Sequence, residues 1–260
     1  MSVSALAGVA GYAAWFEPRW LDVPEIAVPV PSLSSALEGY TVAFVSDLHL
    51  TRLNAVHETL AEALQNLQPN LLIIGGDTIE ASNRMGLVRE LFPPLTSHCG
   101  AAFAVVGNWE HWGKVNMSVL AEAFQKTGVR LLGNEHVKLG EGVVLVATDD
   151  ACSGHACAAD AVRGLPKAEL KLLATHAPIL LDTTQGGPRF DLAVAGHTHG
   201  GQVRVPGFGP WVPPGSGRFL AGMYETAVGK AWVSRGVGTS VVPARLGCRP
   251  ELAVFRFVRG

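Results

Sequence analysis

Charge is scarce in this chain. Only 16% of its 260 residues are charged, and they sum to a formal −2, with the lysines and arginines dispersed. That excludes the basic footprint of a nucleic-acid binder. With 48% hydrophobic residues, the composition is also far from that of a disordered chain. Cysteine is nearly absent: Cys99, Cys152, Cys157 and Cys248 are too few for a disulfide scaffold. Cys152-Ser-Gly-His155-Ala-Cys157 resembles a small metal or redox site but lacks the second pair of a zinc framework, so unpaired thiols are the expectation. The N-terminal apolar run, Val3 to Phe16, falls short of the ~20 residues that span a bilayer. It also has no positive n-region and no twin arginine. Trp15, Phe16 and Trp20 suit a helix lying on a membrane surface; a helix docked on the protein's own core fits the same residues. The chain is accordingly expected either peripherally on a membrane, on an unassigned side, or in the cytoplasm.

What the sequence does contain is a series of apolar strands ending in polar residues. After a Pro-containing lead-in (Pro24, Pro29, Pro31), Thr41–Ser46 runs into Asp47-Leu48-His49. Leu71–Ile74 ends at Gly75-Gly76-Asp77, and Ala102–Val106 ends at Gly107-Asn108. Leu170–Ala174 ends at Thr175-His176, and Leu192–Ala195 ends at Gly196-His197-Thr198-His199. Val143–Ala147 is a further strand, followed by Asp149 and Asp150. Helices are expected from Val56 to Leu67 with Asn54 as N-cap, over Met85–Phe92, and over Asn116–Thr127 with Gly128 closing it. Asp47 to Asp77 is 30 residues and Asp77 to Asn108 is 31, each about one strand-helix-strand unit. A parallel sheet with its strand ends at one edge would gather these motifs. Beyond Gly200, Val203–Val205, Ala231–Ser234 and Leu252–Val258 alternate like strands around a Pro/Gly-rich loop, 206–217. The pattern predicts an α/β fold of four layers, α/β/β/α, with two mixed sheets face to face. Residues 1–40 form an apolar segment and lead-in, and 41–260 form one domain.

Seven of these side chains make a metal-binding set: Asp47, His49, Asp77, Asn108, His176, His197 and His199. Carboxylate, imidazole and amide together suit two divalent ions of the manganese, iron, zinc or cobalt type. The two oxygens of Asp77 can bridge a pair of ions ~4 Å apart, which would clamp a phosphate and acidify a water. Each motif alone is weak, and a lone TH or a GHTH turn is usually incidental. Satisfied core histidines would leave the aspartates without countercharge at one sheet edge.

D-x-H, GD, GN, H and GHxH in succession resemble the calcineurin-like metallophosphoesterase superfamily over about Thr41 to Val258. Gly196–Gln202, Ser234–Ser240 and Arg245–Leu252 are similar to a bacterial branch of small phosphodiesterases and UDP-diacylglucosamine pyrophosphohydrolases, often with an apolar N-terminal anchor. The resemblance implies a first ion on Asp47, His49 and His199, a second on Asn108, His176 and His197, and Asp77 between them. It implies hydrolysis of a phosphodiester or pyrophosphate, in-line, by a metal-bound hydroxide, with a lipid-linked substrate suggested by the branch. The alternatives are a catalytically impaired metal-binding scaffold and a phosphomonoesterase or protein phosphatase. The family reads GNH where this chain has Gly107-Asn108-Trp109, so the usual acid histidine is missing. His111 either takes over as catalytic acid or packs locally. Loss of the acid costs less for diesters and pyrophosphates than for alkyl monoesters. Glu80, Asp149 and Asp150 are candidates to orient a ligand histidine, or are surface and turn acids. Arg52 is a phosphate contact or a solvated arginine, and His57 is not expected to bind metal. Arg235 and Arg245 either brace loops or meet substrate.

Overall fold

Short apolar runs without alternation bury both faces, and here they form the interiors of two sheets. The structure, a computed structural model, describes residues 3–140, 142–183, 186–205 and 207–260. The helices are α1 (Val3–Gly11), α2 (Ala55–Leu67), α3 (Met85–Thr96), α4 (Asn108–Trp112), α5 (Met117–Gln125), α6 (Ala158–Ala161) and α7 (Leu180–Thr183). The strands are β1 (Glu25–Val30), β2 (Thr41–Val45), β3 (Leu71–Ile74), β4 (Ala101–Ala104), β5 (Arg130–Leu131) and β6 (Glu135–Leu139). They continue as β7 (Val143–Ala147), β8 (Leu170–Ala174), β9 (Phe190–Ala195), β10 (Gly222–Thr226), β11 (Gly229–Val233) and β12 (Ala253–Arg259).

One sheet has the order β1-β12-β2-β3-β4-β5 and the other β10-β11-β9-β8-β7-β6. β2 to β5 are mutually parallel, as are β7, β8, β9 and β11, while β12, β6 and β10 run antiparallel to their neighbours β2, β7 and β11. Phe44, Ile73, Phe103, Leu145, Leu172, Val194 and Phe255 fill the space between the sheets. The opposite face of the first sheet packs Val45, Leu72 and Ile74 against Leu60, Leu64, Val88, Phe92, Leu120 and Phe124 of α2, α3 and α5. Ala161, Leu181 and Phe219 cover the outer face of the second sheet. The α/β/β/α sandwich of two mixed sheets is therefore the fold, and the C-terminal ends of β2, β3, β4, β8 and β9 open onto a common edge.

Four local departures from the sequence reading have physical causes. The Pro-containing lead-in supplies β1, because an outermost strand tolerates Pro29, which has no N–H for a ladder. Helix α3 runs past Phe92 through Pro93 and Pro94 to Thr96; the Thr96 hydroxyl donates to the Phe92 carbonyl, and Leu95 is buried. Val203–Val205 is not a strand: Val203 makes a single bridge with Leu246, beside which Gly247 turns away at φ +64°. Within the loop 206–217, residue 206 lies outside the described residues. At the N-terminus, α1 continues through a π-turn at Tyr12–Phe16 and a 3₁₀ turn at Glu17–Arg19. Ala13 and Glu17 are buried, whereas Val9, Tyr12, Trp15, Phe16 and Trp20 are exposed, so among the described side chains this segment turns its large apolar groups outward. Among the described residues no helix is long and apolar enough to cross a membrane.

Helix α2 begins as its sequence foretold. The Asn54 side chain accepts the Val56 N–H at 3.0 Å, and His57 Nδ1 accepts the Asn54 N–H at 3.1 Å. Asn54→Ala is expected to cost about 1 kcal/mol of unfolding free energy. Urea unfolding followed by tryptophan fluorescence checks it; an unchanged midpoint contradicts the cap.

Candidate metal centre

The loop after β2 lies along the loop after β3. Asp47 N–H donates to Gly76 O at 3.0 Å, His49 N–H to Asp77 O at 2.9 Å and Leu50 N–H to Thr78 O at 2.9 Å. These bonds force the chain into an uncommon conformation. Asp47 (φ +54°), His49 (+43°), Asp77 (+51°), His197 (+71°) and His199 (+50°) all occupy the left-handed region. A residue with a Cβ pays of the order of 1 kcal/mol there, and such outliers persist only where surroundings over-determine them. Five of the seven sequence candidates carry this strain, which makes their local geometry an aim of the fold. Gly76 (φ +86°) allows the approach of the second sheet: a Cβ there would lie 2.7 Å from His176 Nδ1 and 2.8 Å from Gly107 N.

All seven side chains are buried at this one edge. Asp47, His49 and His199 offer ligand atoms that lie within 4.8 Å of one another, and so do Asp77, His176 and His197. Asp77 faces both groups, with Oδ2 3.7 Å from His49 Nε2 and 3.2 Å from His176 Nε2. Asn108 Oδ1 lies 3.1 Å from His176 Nε2 and 2.8 Å from His197 Nδ1. Asp47 accepts the Ser46 hydroxyl at 2.6 Å and the His197 N–H at 3.0 Å, and Asp77 accepts the Trp109 N–H at 2.8 Å.

The outward nitrogens decide what the inward ones present. His49 Nδ1 donates to Glu80 at 2.8 Å, His176 Nδ1 to the Gly75 carbonyl at 2.7 Å, and His197 Nε2 to the Pro214 carbonyl at 2.8 Å. In each neutral ring the other nitrogen is then a lone pair pointing into the site. His49 Nε2 and His199 Nε2 meet at 3.1 Å, the His176 lone pair points at the Asp77 carboxylate, and buried His199 Nδ1 has no partner. Lone pairs and anionic oxygens converge here in excess of the donors between them, an arrangement that suits a cation. Ligand atoms ~2.1 Å from one ion and roughly at right angles sit ~3 Å apart, so the donor set and its spacing fit divalent ions.

With protons alone as cations, the same demand appears in the ionisation of the rings. Burial opposes protonation of His49 and His176. For His49 the Glu80 bond and the fields of Asp77 and Asp47 outweigh it; for His176 the Asp77 field and bond do, raising it well above the usual range. Burial also opposes ionisation of Asp77, but the field and bond of His176 hold its carboxyl below the ordinary value. His197 and His199 are lowered, first by burial and then by the positive charge of His176 and of His49 respectively.

Other residues singled out from the sequence fall in definite places. Glu80 holds His49. Asp149 accepts from His111 Nε2 at 2.7 Å, and the His111 ring stacks on His155 at 3.9 Å, away from the cleft lining. Asp150 is buried and accepts the Ser153 N–H. Arg52 is exposed, and His57 belongs to the α2 cap. Arg235 pairs with Asp22 and Glu251, and Arg245 donates to backbone carbonyls, so both brace loops. All four cysteines are free; Cys152 touches His197 at 3.6 Å, and burial, with Asp150 and Asp77 nearby, pushes its thiol up to about 12. Among the described residues Cys152, His155 and Cys157 do not form a ligand group.

Glu110 went unnoticed in the sequence. It is 1% exposed and accepts N–H groups from Gly107, Asp77, Thr78 and Ile79, pinning the second and third motifs together. Burial, then the Asp77 charge, pushes its carboxyl up to about 7. The signal available was a Glu three residues after Gly107, the spacing of a capping box at the start of α4.

Above the ligands is a cleft of about 380 Å³. Asp77, Asn108, His197 and His199 line its floor; Trp109, Trp112, Trp211, Val241 and Val242 are among its walls, and among the described residues no Lys or Arg lines it. The Trp109 indole stands edge-on to His49, with ring centres 6.1 Å apart.

The calcineurin-like phosphoesterase profile matches residues 40–201, which include every ligand candidate. The chain is 26% identical to the metallophosphoesterase YkuE of Bacillus subtilis (strain 168), over 94% of this chain and 88% of that protein. It is 28% identical to the phosphodiesterase YaeI of Escherichia coli (strain K12), over 95% of this chain and 92% of that one. It is 31% identical to the protein YpbG of Bacillus subtilis (strain 168), over 81% and 78%. With the fold, the two ligand groups and these matches in agreement, the chain belongs to the calcineurin-like phosphoesterase family.

Proposed function

We propose that the protein hydrolyses a phosphodiester or pyrophosphate with two divalent ions. The observation that carries this is Asp77, whose carboxylate faces both ligand groups at once. Asp47, His49 and His199 would hold one ion, Asn108, His176 and His197 the other, and Asp77 would bridge them; manganese, iron, zinc and cobalt all suit these donors. Bound there, the ions would neutralise phosphoryl oxygens and acidify a water. Glu80, Gly75 O and Pro214 O keep three rings turned with their lone pairs inward, and Glu110 keeps Asp77 beside Asn108.

The walls bear on the substrate. A phosphate monoester brings more negative charge, and this cleft has no lining cation of its own to meet it. Diesters and pyrophosphates also tolerate Trp109 in place of an acid histidine, and the relative YaeI is named a phosphodiesterase. His111 either donates the proton, oriented by Asp149, or packs locally, the reading that its stack on His155 and its place outside the cleft lining support. Exposed Trp112, Trp211, Val241 and Val242 around the cleft, with Trp15, Phe16 and Trp20 at the N-terminus, support a lipid-linked substrate and peripheral membrane contact.

Hydrolysis of bis-p-nitrophenyl phosphate with added manganese tests the chemistry. Turnover is expected for the parent and a fall of at least ~10³-fold for Asp77→Ala. His111→Ala is expected to lose about 10²-fold on an alkyl diester if it donates the proton. Ions bound without any turnover would instead make the protein a metal-binding scaffold. For the membrane contact, co-sedimentation with anionic vesicles is expected to drop in a Trp15→Ser/Phe16→Ser variant; equal, negligible binding by parent and variant removes it.

A further inference from the structure

Two hydrogen-bonded arms join the end of the N-terminal helix to the Asp47–His49–His199 group. In the first, the Ala13 carbonyl accepts the Arg245 N–H at 2.8 Å. The Arg245 guanidinium donates to Gly238 O, from Nη2 at 2.5 Å and Nε at 3.0 Å, and to Arg235 O at 2.9 Å. The Gly238 N–H then donates to Asp47 O at 2.8 Å. In the second arm, the Glu17 carboxylate accepts the Cys248 N–H, and the Cys248 thiol donates to His199 O at 3.1 Å. Arg245 Nη1 donates to Cys248 O at 3.1 Å and ties the arms together.

The parts are unusual for mere packing. Arg245 is 0% exposed and, among the described residues, forms no ion pair; Glu17 is 2% exposed and spends its carboxylate on one backbone N–H. Burying a charge without a direct ion pair is costly; Asp47 and Glu251 attract Arg245 only at longer range, and its hydrogen bonds all go to backbone carbonyls that it holds in place. What the arms hold are Asp47 and His199, both left-handed at φ +54° and +50°. The clamped stretch 235–238 presses directly on Asp47 and the residue after it: a Cβ at Gly236 would meet Asp47 Cβ at 2.8 Å, and one at Gly238 would meet Leu48 O at 2.2 Å. Strained conformations need such outside restraint.

We infer that Glu17, Arg245 and Cys248 form a brace by which the N-terminal helix positions Asp47 and His199 for the first ion. The second group is held chiefly from elsewhere: Asp77, His176 and His197 are fixed by Glu110, Gly75 O and Pro214 O, and the braced residues reach it through the His197 N–H that Asp47 accepts. The helix is thereby a working part of one ion site. This inference rests on the two-ion reading.

Cobalt titration of the full chain tests it, with each equivalent followed by its visible absorption and by chelator competition, alongside thermal unfolding. The parent is expected to bind two equivalents. Glu17→Leu and Arg245→Met are each expected to weaken one equivalent about tenfold or more, the size of effect that outer partners of metal ligands have, and to affect the other several-fold less. Glu17→Gln, which retains an acceptor oxygen for the Cys248 N–H, is expected to restore most of the loss. Asn108→Ala should weaken the other equivalent. Both equivalents tight in Glu17→Leu, or both weakened in parallel with lowered thermal stability, would overturn the brace while leaving the two-ion reading in place. A parent that takes up fewer than two equivalents would overturn the two-ion reading, and the brace with it.

Discussion

Asp47 and Asp77 lie buried with four imidazoles at the floor of the cleft, and the arrangement calls for positive charge between them. Burial makes that demand strong, because an uncompensated carboxylate in a low-dielectric interior costs several kcal/mol. Protons can meet part of it on His49 and His176, as the raised ionisation of those two rings records. They cannot meet it well, since His49 Nε2 and His199 Nε2 meet tip to tip and His199 Nδ1 has no partner. Divalent cations satisfy carboxylates and lone pairs together, and the chemistry of the family follows from holding two of them in one place.

The fold supplies the restraint this needs. Parallel strands from both sheets deliver their carboxyl ends to one edge, so residues more than a hundred positions apart in the chain become neighbours. Backbone bonds between the β2 and β3 loops, the four N–H groups on Glu110, and the Arg245–Gly238 contacts hold ligands in a left-handed conformation that their own preferences disfavour. Three cores, one between the sheets and one on each outer face, offset that strain. The stiffness of the site is thus borrowed from well-packed layers beneath it.

Features with a local cause were legible in the sequence. The apolar runs of β3, β7 and β8 appear there with their observed limits, Asn54 announces the start of α2, and polar residues at strand ends mark the site. Features with a distant cause were not. The strand β1 exists because β12 pairs with it, and its proline disguises it. Glu110 reads as an ordinary helix-start acid until the β3 loop donates to it. Val203–Val205 has strand-like alternation but only one residue, Leu246, to pair with. The His111–Asp149 bond joins segments 38 residues apart, and no local pattern encodes it. Hydrogen bonds across long separations carry no periodicity, and that is where one sequence falls silent.

The central claim is the pair of cations held across Asp77. Anomalous diffraction from crystals equilibrated with manganese addresses it most directly. Two peaks are expected, one at Asp47, His49 and His199 and one at Asn108, His176 and His197, with the Asp77 carboxylate between them. A single peak, or density at neither group under saturating manganese, would contradict it.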